Sequence, residues 1–81
     1  MLRQYAWVRP EKGFWKDMDD NDCKSHYKKL FGTDDEIHPG LIYFGEIPNM
    51  PGHGIFYSSK TKQMICGLHI EDYEEVPEDD C

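Results

Sequence analysis

Hydrophobic and polar positions change their period along this chain. Over residues 2–9, aromatic and β-branched residues interleave with polar ones and predict a first strand. Pro10 to Gly13 supply turn chemistry, and Phe14-Trp15-Lys16 predicts a short return strand. Tyr27, Leu30 and Phe31 then recur at helical spacing. Aspartates over Asp17 to Asp22 precede them, Lys28 and Lys29 fall near the end, and Gly32 terminates the segment, so one short helix is expected. Thr33 to Gly40 reads as a loop ending in Pro39-Gly40.

The second half has shorter periods. Residues 41–47, 55–59 and 63–69 predict three strands, joined by the Pro- and Gly-dense segment 48–54 and by Lys60-Thr61-Lys62. Residues 70–73 make a short turn, and 74–76 form a last short strand. Strands of this length with tight connections predict an antiparallel meander. The expected fold class is therefore α+β: a small antiparallel β-barrel or curled sheet with one short helix. One globular domain covers 1–77, and 78–81 is an acidic end.

The run Gly67-Leu68-His69-Ile70-Glu71-Asp72-Tyr73-Glu74-Glu75-Val76 resembles the end of a Src-homology-3-like barrel. In that family a glycine precedes a strand end, a one-turn 3₁₀ helix with an aromatic follows, and a short strand closes the sheet. The resemblance spans about residues 40–77 and implies an SH3-like barrel. The N-terminal ALYDY-type segment, which helps form that family's groove for proline-rich peptides, is absent. A helix is expected in part of its place, so the peptide-binding activity does not carry over.

Charge sharpens this picture. The formal net charge of the 81 residues is −7, and residues 71–81 contribute all of it through Glu71, Asp72, Glu74, Glu75, Glu78, Asp79 and Asp80. The rest of the chain has as many bases as acids. An acidic end on a neutral body attracts a basic surface and repels nucleic-acid phosphate. An aromatic content of 14% is too high for a disordered acidic chain and supplies large rings to a small core. Residues 1–9 interleave Arg3, Gln4 and Arg9 with apolar residues, so neither a signal peptide nor a membrane span is expected. Three widely spaced cysteines (Cys23, Cys66, Cys81) are no disulfide framework, and a reducing, cytoplasmic setting is expected.

The sharpest chemical spacing is Cys23-x-x-His26 and Cys66-x-x-His69, two pairs that together would make a tetrahedral Cys₂His₂ zinc site. On a helix the first pair shares a face, but on a regular strand the second pair splits across two faces unless a turn at Gly67 intervenes. Asp17, Asp19, Asn21 and Asp22 resemble the start of a calcium loop. Asp22 replaces its essential glycine and Lys28 its last glutamate, so the match fails. Cys66 or Cys23 with His53 or His69 can be written as a nucleophile and base, but nothing in the sequence brings them together, and no nucleophile-bearing glycine turn or phosphate-cradling glycine run exists. Lys24, Lys28 and Lys29 form at most one small basic patch. Met50, between two prolines, is either an exposed apolar tip or a plug for the barrel end.

These observations favour a non-enzymatic protein-interaction module. It would be a small acidic inhibitor or modulator binding a basic site on a protein partner, with nucleic-acid mimicry by its carboxylates as one form. In size and charge it is similar to the small modulators that bacteriophages make against host enzymes. The candidate partner-binding residues are Glu71, Asp72, Glu74, Glu75, Glu78, Asp79, Asp80, Met50 and His53. No cofactor, direct nucleic-acid contact or membrane is expected, and a homodimer through free sheet edges is an option. The alternative is a structural zinc domain held by Cys23, His26, Cys66 and His69.

Overall fold

A computed structural model describes residues 2–18 and 20–77. Strand β1 (Trp7–Pro10) leads to helix α1 (Asn21–Phe31). Strands β2 (Leu41–Glu46), β3 (His53–Ser58) and β4 (Gln63–His69) follow. A single 3₁₀ turn (Ile70–Asp72) then leads into β5 (Tyr73–Glu75). The five strands form one antiparallel sheet in the order β4-β3-β2-β1-β5. This is an α+β architecture.

Consecutive strands β4 and β5 lie at opposite edges of that sheet. In a flat sheet four inter-strand steps would separate them by about 19 Å. A three-residue 3₁₀ turn advances only about 6 Å, so the sheet must curl to bring its edges together. It does not close: β5 pairs with β1 and not with β4. The predicted barrel is thus corrected to the curled sheet, because the 3₁₀ turn carries the chain out of the β4 line before β5 begins.

Two local expectations also change. Strand β1 begins at Trp7 rather than near Leu2, because Tyr5 takes a left-handed backbone (φ 69°) and the Ala6 N–H turns back to the Arg3 carbonyl. Phe14-Trp15-Lys16 is no strand. Phe14 N–H donates to Glu11 C=O and Asp17 N–H to Gly13 C=O, giving successive turns. These turns lay the two rings against the helix instead, with Phe14–Tyr27 centroids at 5.3 Å and Trp15–Phe31 at 6.0 Å.

The helix forms where its ends are satisfied. Asp20 accepts the Asp22 N–H at 2.8 Å as N-cap, and Gly32 donates to Lys28 C=O as a left-handed C-cap. The core lies between helix and sheet: Val8, Leu41, Tyr43, Phe56, Ile65, Leu68 and Tyr73 from the strands, with Phe31 from α1. Rings link it, Phe56–Tyr73 at 4.8 Å and Tyr43–Phe56 at 5.3 Å. Burial pushes the Tyr73 hydroxyl pKa far up. Buried Ser58 ties the layers by donating to Phe31 C=O at 2.8 Å.

Candidate interaction surface

Register determines which residues share a face, and it assembles a surface the strand lengths alone do not show. Trp7 pairs with Ile42, Ile42 with Tyr57, and Tyr57 with Met64. The neighbouring row Val8–Leu41–Ser58 is buried, so successive side chains alternate and the Trp7 row points away from the helix. Phe44, Ile55 and Cys66 extend the same outer face. Tyr5 stands edge-on to Phe44 at 5.4 Å, and Phe44 lies 6.2 Å from Tyr57. Tyr5, Trp7 and Met64 are 65%, 49% and 48% exposed. None of these residues belongs to the core or packs against it. The sheet is apolar on both faces, and the helix covers only one.

The acidic residues split into two kinds. Glu71 and Asp72 are exposed on the 3₁₀ turn. Glu74 and Glu75 lie on β5 and are engaged within the chain. Arg9 reaches the Glu74 carboxylate at 2.9 Å, and Arg3 reaches Glu75 at 2.8 Å. The Arg3 backbone N–H also donates to Glu75, and with the guanidinium it holds that carboxyl below its ordinary pKa. Glu78, Asp79 and Asp80 lie outside the described residues, as does Asp19 of the calcium-like run. Met50 is 43% exposed at its loop tip, which sets aside the plug reading.

The four zinc candidates do not converge. Cys23 and His26 are exposed on α1, which packs on the inner face, whereas Cys66 faces out of the opposite side of the sheet. The Cys23 thiol lies 3.7 Å from the Asp20 carboxylate, whose charge, ahead of burial, pushes its pKa up. Among the described residues no three His, Cys, Asp or Glu side chains could share an ion. The sheet between the two pairs is the physical reason. Lys28 of the basic helix patch pairs with Asp34 at 3.3 Å.

In the sequence His53 and His69 stand as alternative bases for Cys66 or Cys23, not as partners of one another. The structure makes His53 the register partner of His69, with ring centroids 4.4 Å apart. They share a cleft of about 470 Å³ at the sheet end with Leu2, Tyr43, Glu46 and Glu71. The juxtaposition depends on an extra residue at Gly67, since Ile55 pairs with Cys66 and Gly54 with Leu68. Gly67 has φ 89°, which glycine adopts without penalty. No described helix is long and apolar enough to cross a membrane. Comparison with protein-family models, curated proteins and solved structures finds no match to this chain.

Proposed function

We propose that this chain is a non-enzymatic protein-interaction module that docks on a basic partner protein through the outer face of its sheet. One observation carries the reading: Trp7, Ile42, Tyr57 and Met64 form an unbroken cross-strand row with no helix over it. A contiguous aromatic patch on a small domain marks an interaction surface, and Trp and Tyr are the residues that dominate binding energy. The charge of −7 selects the partner's sign and speeds encounter. Within that reading Glu71 and Asp72 contribute more than Glu74 and Glu75, whose charges Arg9 and Arg3 already offset. A continuous carboxylate row imitating nucleic acid is correspondingly less favoured than apolar docking. The SH3-like parentage is part of the same proposal, supported by the meander order and the 3₁₀ turn before β5.

The test fixes one protein captured by the wild-type chain and measures its dissociation constant. Trp7→Ala and Tyr57→Ala should each weaken it by roughly 30-fold, the scale of an aromatic hot spot. Glu71→Gln with Asp72→Asn should slow association and flatten its salt dependence. Undiminished binding by both aromatic variants would overturn the docking face. A wild-type chain that captures nothing and is dimeric until Trp7 is replaced would assign the face to a second copy instead.

A further inference from the structure

We propose that His53 and His69 form a binding site for a divalent transition-metal ion, suited to Cu(II) or Ni(II). The site is independent of the docking reading. It requires two imidazole rings that are close and pre-positioned, and both conditions have an observation behind them.

The residues are register partners on β3 and β4, so their Cβ atoms fall about 4.5–5.5 Å apart. Their rings lie with centroids at 4.4 Å and planes at 47°. The backbones are tied at both sites. Ile47 N–H donates to His53 C=O at 2.9 Å, and His53 N–H donates to Met50 C=O at 3.1 Å. Ile70 N–H, one residue past His69, donates to Gly52 C=O, one residue before His53, at 2.9 Å. Glu46 accepts the Gly52 N–H at 3.0 Å and steadies the same loop. Little ordering is left for an ion to impose.

The ligating nitrogen of His53 follows from one contact. His53 Nδ1 lies 3.1 Å from the Pro51 carbonyl oxygen, which only accepts, so Nδ1 carries a proton and Nε2 is the nitrogen left to meet an ion. A metal-ligating histidine is oriented in this way. His69 is exposed, and its ring lies against that of His53. With metal–nitrogen bonds of about 2.0–2.1 Å, an ion bound by both Nε2 atoms with the centroids kept at this spacing would see the rings at roughly a right angle. That is the cis angle of tetragonal Cu(II) and Ni(II), narrower than zinc's tetrahedral one. Glu46 and Glu71 line the cleft and make its potential negative. Since no third described ligand converges, water completes the shell.

Titration of the full chain with a copper(II) or nickel(II) salt, followed by calorimetry and by histidine ring NMR signals, tests this. One ion per chain is expected, broadening His53 and His69 before His26 and His38. Cu(II) should bind more tightly than Ni(II). His53→Gln or His69→Gln should lower affinity on the order of 10²-fold, the loss of two-point attachment. His26→Gln and His38→Gln should leave it unchanged. Equal affinity in the His53 and His69 variants, or broadening spread evenly over all four histidines, would overturn the site. If a variant loses its fold, the order of broadening in the wild-type chain decides.

Discussion

At Cys23 two electrostatic influences oppose one another. A helix N-terminus stabilises a thiolate, and Cys23 stands in the first turn of α1. Yet Asp20, the cap itself, faces the sulfur at 3.7 Å, and its charge leads the causes that raise the thiol pKa, with burial and Asp22 adding to it. The carboxylates win, so less thiolate is present at any given pH. Alkylation of Cys23 by iodoacetamide in mildly alkaline buffer should be slower than that of an unstructured cysteine peptide. Asp20→Asn should speed it, because asparagine caps as well as aspartate but carries no charge. Peptide-resolved mass spectrometry reads the rate, and an unchanged rate in that variant would refute the electrostatic account. A raised pKa also makes Cys23 a less ready nucleophile near neutral pH.

Elements are joined here by few, specific polar contacts, and Ser58 is the clearest of them. Its hydroxyl donates to the last helical carbonyl, at Phe31, and accepts the Thr61 N–H of the β3–β4 turn at 3.2 Å. Ser58→Ala leaves both groups without that partner, the Phe31 carbonyl in a buried site and the Thr61 N–H in a half-buried one, at a cost of about 1–3 kcal/mol. Thermal unfolding should shift down by about 4–8 °C per kcal/mol for a domain this size. A shift within error would mean the helix is docked by apolar packing alone. Element positions were largely legible in the sequence because the signals are local: an aspartate cap, a glycine stop, paired lysines and Pro-Gly loops bracket α1 and β2 to β4. Residues 14–16 read as a strand because two adjacent aromatics favour one in isolation, whereas the turn expected up to Gly13 is present. Only contact with Tyr27 and Phe31 makes turns the better burial. The His53–His69 pair was not legible, since it depends on the extra residue at Gly67, which shifts register without a distinctive pattern. The outer face did leave a trace: β2 is apolar at both inward and outward positions, Leu41, Ile42, Tyr43 and Phe44, where a strand with one wet face alternates.

On the scale of the whole molecule, the two ends of the chain are stitched side by side. Arg3–Glu75 and Arg9–Glu74 join residues 72 and 65 positions apart, and β5 completes the sheet beside β1. Up to Glu75 the acidic segment is part of the architecture, on the last turn and closing strand that its sequence predicts, and its negative field is shaped by where arginines meet it. Removing residues 74–81 to probe charge would also remove β5, so neutralising Glu71 and Asp72 is the cleaner manipulation. The stitching has its own pH dependence. The Arg3 backbone N–H, then its guanidinium, lowers the Glu75 pKa on folding. Unfolded chain therefore takes up this proton more readily than folded chain, and the contribution is complete above the ordinary carboxylate pKa. It is lost as pH falls through the lower folded value. Arg3→Ala should thus destabilise at neutral pH by a small margin, as an exposed pair does. The gap from wild type should close in strong acid, where Glu75 is protonated in both. Denaturant midpoints of the two chains across that pH range measure the gap. A gap that persists undiminished below the carboxylate range would show that Arg3 acts by packing rather than through Glu75.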